Sequence, residues 1–405
     1  MQLLAALAIA FLAVAHASEV RPEKKQGAAG PPTPARSASY HIGYRILTIP
    51  QEGQEPLVVA LWYPTDAGPG KMTYQVVGSR MVSDATRDAA PAKGPFPLVI
   101  YSHGGGGCAI MGAAHAEALA ENGFVVAGPD HHDEFRVARS DESSAPDPRR
   151  ALEWLQWAKG VSAGAPTKFA HRPAEVRATI NYLLARNADP GSDLKGLLDP
   201  AKIGVMGVSF GAWTTQVVAG FIPAFRDDRI KAAVPIAGRP GRMAGGFENV
   251  TIPLMMIFGE QETLVLLDPA SGSKTEGMMR DYERAHPPKY LVGIKGARHL
   301  DFGGAGVSQR EQPGGEFSTA QIRAADPVIG TVNRYCLAFF RRYLLDDPSA
   351  EAALAAAEPN VFLLKSDPGK APAAAGGNVG TAPAGTHKGL RAARTPSASE
   401  GADAA

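Results

Sequence analysis

The chain has 405 residues, 45% of them hydrophobic and 20% charged, which is enough for a large buried core and is the balance of an ordinary folded protein. Forty-one basic residues against 40 acidic ones leave a formal net charge of +1, so no overall field points to nucleic acid or to an anionic membrane. A small or neutral partner fits better, and the two cysteines, Cys108 and Cys336, exclude a disulfide-stapled scaffold and read as small buried hydrophobes.

Residues 3–14 form an apolar run about as long as a signal-peptide core, and Ala15-His16-Ala17 supplies a small-x-small pattern for cleavage near Ala17. The run is shorter than the roughly 18 apolar residues that spanning a bilayer requires, so it predicts export, to a periplasm or beyond, and no stable membrane anchor. Residues 18–39 are rich in Pro, Gly, Ala and charge and read as a flexible leader. The same bias returns over 366–405 as an Ala/Pro/Gly-rich tail, which places the folded domain at 40–365.

Within that domain, apolar runs at 44–49, 57–63, 97–101, 124–127, 202–206, 231–236, 253–258 and 289–294 predict eight strands. Helix signals alternate with them at 113–122, 173–185, from Ser209 onward, and at 328–345. The second of these puts Val176, Ile180, Leu183 and Leu184 on one face and Pro173 in its first turn. The last carries Tyr335, Phe339 and Tyr343 at i, i+4 and i+8. Alternation of this kind specifies an α/β fold, a mostly parallel eight-stranded sheet flanked by helices. Residues 131–168, after the fourth strand, fit neither period throughout and read as a small lid-like insertion, with a short helix at 150–159.

Gly207-Val208-Ser209-Phe210-Gly211 fits the pattern G-x-S-x-G, and it stands between a strand and a helix, where that pattern has meaning. There the serine occupies a strained turn, and the flanking glycines let strand and helix approach. A serine needs an imidazole to take its proton and an anion to orient the imidazole. Around such an elbow the chain order is Ser, acid, His, which leaves three downstream histidines. His387 lies in the tail and His286 precedes the last strand, so His299, in the loop just after that strand, is the expected base.

Upstream, a strand runs into His103 and the glycines 104–107. Backbone N–H groups of Gly105 and of Phe210, the residue after the serine, are the expected donors to the oxyanion formed when a carbonyl is attacked. His103 then has a scaffolding role. The glycine run lacks both the Lys-Ser/Thr ending of a phosphate loop and dinucleotide spacing. Asp130-His131-His132-Asp133-Glu134 has metal-ligand residue types but no ligand spacing, so it is expected to be a solvated strand-to-loop junction, and no metal or other cofactor is implied.

The stretch 57–343 resembles the bacterial α/β hydrolases grouped with platelet-activating-factor acetylhydrolase and the dienelactone-hydrolase-like esterases. The resemblance rests on Trp62-Tyr63-Pro64-Thr65, Tyr101-Ser102-His103-Gly104, Asp130-His131, residues 172–184, Gly207 to Gly211, and His299-Leu300-Asp301-Phe302. It implies the α/β-hydrolase fold. Dienelactone hydrolases carry cysteine where Ser209 stands, so lactone chemistry is not implied, and Ala212 replaces the glycine usual after the elbow.

That fold offers the triad acid two positions, after the sixth strand, which the platelet-activating-factor enzymes use, or after the seventh. Here the sixth strand ends in Ala237-Gly238-Arg239-Pro240 with no carboxylate, which points to the seventh. Glu262 stands at the Asp position of the common strand-Gly-x-x-Asp pattern, and Glu260 is its competitor. Resemblance and constellation together imply an exported serine carboxylic ester hydrolase, working through an acyl-enzyme on a short-acyl, phospholipid-like or polyester-type ester. Its partner is then a small-molecule or polymeric ester. An amidase or peptidase of the same fold, and a non-catalytic homologue that binds a hydrophobic ligand, remain open.

Overall fold

In chain order the strands are β1 (His41–Ile49), β2 (Leu57–Thr65), β3 (Met72–Val76), β4 (Ser79–Ser83), β5 (Thr86–Arg87), β6 (Phe96–Ser102), β7 (Val125–Pro129), β8 (Leu198–Val208), β9 (Ile230–Ile236), β10 (Leu254–Gly259), β11 (Lys289–Ile294), β12 (Glu316–Ser318) and β13 (Val361–Asp367). The helices are α1 (Ala113–Glu121), α2 (His171–Ala188), α3 (Phe210–Gln216), α4 (Lys274–Arg284), α5 (Thr319–Ala325), α6 (Pro327–Leu344) and α7 (Ala350–Ala355). These come from a computed structural model that describes residues 39–76, 79–134, 136, 138–143, 169–238, 245–262, 273–303 and 316–369.

All eight expected strands lie in one ten-stranded sheet of order β13-β11-β10-β9-β8-β6-β7-β2-β1-β5. From β7 through β6, β8, β9 and β10 to β11 the strands run parallel, while β2 is antiparallel to both β1 and β7. Every residue of β6 is buried, as a strand covered by helices on both faces must be. Along β8 the side chains alternate between two cores: Ile203 and Val205 pack with Val176 and Ile180 of α2 and Met278 of α4, whereas Met206 and Val208 pack with Leu119 of α1 and Phe339 of α6. Asp326 caps α6 by accepting from the N–H groups of Val328 and Ile329, and Pro327 occupies the first turn, where no N–H is needed.

The sheet has two strands more than the eight expected. β5 is a two-residue parallel addition to β1. β13 pairs antiparallel with β11 as far as Lys289 opposite Asp367, so the strand crosses the expected domain end at residue 365. Its first residues are apolar, and the open edge of β11 then carries the polar ones along by backbone hydrogen bonds, for which side-chain polarity is irrelevant. A separate small sheet, β12-β4-β3, also escaped the sequence reading, although Met72, Tyr74 and Val76 alternate inward with period two.

The signal segment, the leader up to residue 38, residues 144–168 of the expected insertion and the tail from 370 lie outside the described residues. The start of that insertion is tied to the core: Asp130 accepts from the N–H and Oγ of Ser140 and from the N–H of Ala109, and Ala138 is buried. Cys108 and Cys336 are separate free thiols, both buried. Among the described residues, no helix is long and apolar enough to cross a membrane.

Candidate active site

The sheet gathers the residues singled out above at the carboxyl ends of its parallel strands. Gly105 follows β6, Asp130 to Asp133 follow β7, Ser209 follows β8, Glu262 follows β10 and His299 follows β11. In an open α/β sheet this edge is where ligands bind, because loops from neighbouring strands converge there.

Ser209 has φ 59° and ψ −115°, a backbone state that costs a non-glycine residue about 1–3 kcal/mol and must be imposed by its surroundings. Here the Ser209 N–H donates to Ile236 O at 2.9 Å, and its carbonyl accepts from Ala212 N–H at 3.0 Å. The flanking glycines are sterically required. A Cβ on Gly207 would stand 2.5 Å from Gly211 O, and one on Gly211 would stand 1.8 Å from Ser102 O. Ala212, which replaces the usual second glycine, fits because Gly238 faces it: a Cβ there would come within 2.7 Å of the Ala212 methyl.

His299 places Nε2 2.8 Å from Ser209 Oγ. Its Nδ1 lies 2.8 Å from Oε1 of Glu262, whose side chain is fully buried while the imidazole keeps 12% exposure. The competing Glu260 is exposed, and its Oε2 accepts from Gly296 N–H at 2.8 Å in the loop that leads to His299. His286 is exposed and its ring contacts Glu248 O. The turn carrying His299 is held from α1, where His115 Nε2 donates to Phe302 O at 2.7 Å.

The glycine-rich loop lies against the turn at Ser209: a Cβ on Gly104 would be 3.6 Å from Ser209 Cβ. Gly106 and Gly107 donate their N–H groups within the neighbourhood, to Asp133 Oδ2 and Gly104 O respectively, while Gly105 is half-buried beside them. On the other side of the serine, Phe210 opens α3, so its N–H belongs to the first turn of that helix.

Asp130, His131 and Asp133 do not form the expected solvated junction; all three are buried. Burial is tolerated because each finds partners. His131 Nδ1 faces Glu175 Oε2 at 2.7 Å, and His131 Nε2 lies 2.8 Å from Ser102 Oγ. An ionised carboxylate only accepts, so Nδ1 carries the proton and the Ser102 hydroxyl donates to Nε2. Burial and the nearby Arg172 charge push His131 down to about 4, which keeps it neutral. Glu175 also accepts from His132 Nδ1 at 2.7 Å; the imidazole hydrogen bonds overcome the effect of burial and hold it below the usual carboxylate range. Asp133 pairs with Arg172 and accepts from His171 Nε2 at 3.1 Å. Ser102, His131 and Glu175 thus form a second Ser–His–Glu chain, which sequence reasoning missed because nothing in the sequence shows that Ser102 and Glu175 meet at His131.

The family model described as platelet-activating factor acetylhydrolase, isoform II, matches residues 66–234, which include the glycine-rich loop and the elbow but neither Glu262 nor His299. A platelet-activating factor acetylhydrolase of Cavia porcellus is 24% identical over 292 residues, covering 68% of this chain and 64% of that protein. One of Gallus gallus is 26% identical over 170 residues, covering 36% of this chain and 40% of that protein. The chain therefore spans under two thirds of the length of these curated relatives. Among solved structures, a ferulic acid esterase from Streptomyces cinnamoneus superposes with a TM-score of 0.56 at 22% identity, over 78% of this chain and 94% of that one. Sheet order, elbow and superposition show an α/β-hydrolase fold, and the sequence matches make the chain similar to platelet-activating factor acetylhydrolases.

Proposed function

We propose that the protein is a serine carboxylic ester hydrolase that works through an acyl-enzyme. The observation that carries the reading is a strained, half-exposed Ser209 whose hydroxyl meets His299 Nε2 at 2.8 Å, with the buried Glu262 against the other ring nitrogen. In the first step His299 takes the hydroxyl proton as Oγ bonds to the ester carbonyl carbon, and the carbonyl oxygen becomes an oxyanion held by Gly105 and Phe210 N–H. Collapse of this intermediate breaks the bond to the leaving alkoxide, which takes the proton from His299. Water then repeats the sequence on the acyl-enzyme, giving the acid and free Ser209. Glu262 keeps the Nδ1 proton in place and offsets the charge that His299 gains. These steps need no metal or organic cofactor.

The matched acetylhydrolases and the ferulic acid esterase are named for esters, which supports an ester over an amide. A short-acyl, phospholipid-like or polyester-type ester is the proposed substrate, encountered after export directed by residues 1–17. Two measurements test the reading together. A fluorophosphonate probe should form one adduct, at Ser209, and p-nitrophenyl esters of graded acyl length should be hydrolysed while matching anilides are not. Anilide turnover at comparable rates would shift the reading to an amidase, and the absence of any adduct would favour a ligand-binding homologue.

A further inference from the structure

The Arg172 side chain, near the start of α2, is fully buried, and its guanidinium reaches four acceptors. Nε donates to Asp133 Oδ1 at 2.9 Å and Nη2 to Asp133 Oδ2, a two-point pairing that fixes the plane of the fork. Nη1 donates to His103 O at 2.9 Å, and Nη2 also reaches Gly104 O at 3.4 Å. The guanidinium carbon lies 4.2 Å from the centre of the Phe210 ring. One planar cation therefore touches both chain segments that flank Ser209.

The contact with Gly104 O has a geometric consequence. Gly104 C=O and Gly105 N–H belong to one peptide unit, and in a trans peptide the two point in opposite directions. The carbonyl accepts from three donors: His103 Nδ1 at 2.6 Å, Gly107 N–H at 3.1 Å and Arg172 Nη2. His103 can donate from Nδ1 because its Nε2 accepts from His131 N–H at 3.0 Å, and burial with the Arg172 charge keeps the ring neutral. A peptide between two glycines turns easily, so these bonds are what hold its N–H in one direction. Phe210, whose own N–H is the second donor, is held through its ring by the same guanidinium.

We propose that Arg172, oriented by Asp133, is a positioning residue that braces the Gly104–Gly105 peptide and Phe210 so that both N–H groups meet the oxyanion. The inference rests on the reading of Ser209 as nucleophile. A lysine could keep the charge, but an ammonium cannot bridge a carboxylate and two carbonyls while lying flat on a ring. A misplaced donor weakens the transition state and leaves substrate binding nearly untouched, because the oxyanion exists only during reaction.

The test uses the full chain and compares wild type, Arg172→Lys, Asp133→Asn and Ser209→Ala. It measures kcat and KM on p-nitrophenyl acetate, and the affinity of a trifluoromethyl ketone, which forms an oxyanion adduct with the serine, against the matching methyl ketone, which does not. For Arg172→Lys we expect kcat to fall about 10- to 100-fold and the trifluoromethyl ketone to weaken by a similar factor, with KM and methyl ketone affinity within about threefold. Asp133→Asn should show the same split at about three- to tenfold, and it carries the test if Arg172→Lys does not fold. Folded variants with wild-type kcat and trifluoromethyl ketone affinity overturn the inference, as does equal weakening of both ketones. If Ser209→Ala loses turnover in the same assay while both brace variants match wild type, only the brace fails. If Ser209→Ala keeps turnover, the nucleophile reading fails and the brace with it.

Discussion

The described residues hold two Ser–His–Glu chains of nearly equal dimensions. Ser209, His299 and Glu262 are linked at 2.8 and 2.8 Å, and Ser102, His131 and Glu175 at 2.8 and 2.7 Å. Distance does not separate them; access and backbone do. Ser209 sits half-exposed on a strained turn, whereas Ser102 ends a fully buried strand and donates its hydroxyl inward. His131, pushed down to about 4, is a poor proton acceptor near neutral pH. The comparison teaches that close alignment of serine, imidazole and carboxylate can serve the fold as readily as chemistry, and that a reactive serine also needs a route for substrate.

The strongest way to break this contrast is to remove each hydroxyl. Ser209→Ala should leave a folded protein and lower ester turnover about 10⁴-fold or more, since no other side chain supplies the attacking oxygen. Wild-type turnover in this variant would end the assignment. For the carboxylates, Glu262→Gln should lower kcat about 10²- to 10⁴-fold, while Glu260→Gln, at an exposed loop contact, should stay within about threefold. The opposite ranking, measured on folded variants, would move the orienting role to Glu260.

Glu175→Gln should do the reverse of Glu262→Gln. With two imidazoles and the His132 N–H relying on its oxygens, loss of the charge should cost about 2 kcal/mol of stability, and kcat should change less than about threefold. A large fall in kcat at unchanged melting temperature would make the buried chain part of the chemistry.

Acid should expose the same difference. His131 is pushed down to about 4, so between its ordinary value near 6.5 and 4 the unfolded chain binds more protons than the folded one. Its stabilising contribution is complete above about pH 6.5 and is lost as pH falls toward 4. His103, held low in the same way, acts with the same sign. Melting temperature should therefore drop across that window, and a flat profile would contradict neutral, buried imidazoles. The smallest effect is expected from Ser102→Ala, about 1 kcal/mol from one lost hydrogen bond, with kcat close to wild type; a change in kcat beyond tenfold would erase the distinction between the two serines.

Local signals carried much of the fold and part of the site. The six apolar runs from residue 97 to 294 became parallel strands because burial on both faces of such a sheet demands apolar side chains, and Gly207 and Gly211 flank Ser209 because only hydrogen fits there. β13 was less legible: its last three residues are polar, and it is a strand because β11 has an open edge. Asp130 to Asp133 misled for a related reason. Charge in a loop reads as solvated until the partners are known, and those partners include Glu175 and Arg172 from a distant segment.

What the sequence by itself determined is thus the set of local geometries: which runs are strands, where the chain must turn tightly, and which serine stands on the turn. Tertiary structure alone decided which groups meet. It brought Glu262 rather than Glu260 against His299, buried the Ser102 chain a few residues from the glycine-rich loop, and laid Arg172 across His103, Gly104 and Phe210. The physical reason is that strain and periodicity are properties of neighbouring residues. Burial, proton affinity and hydrogen-bond partnership depend instead on residues that only folding makes neighbours.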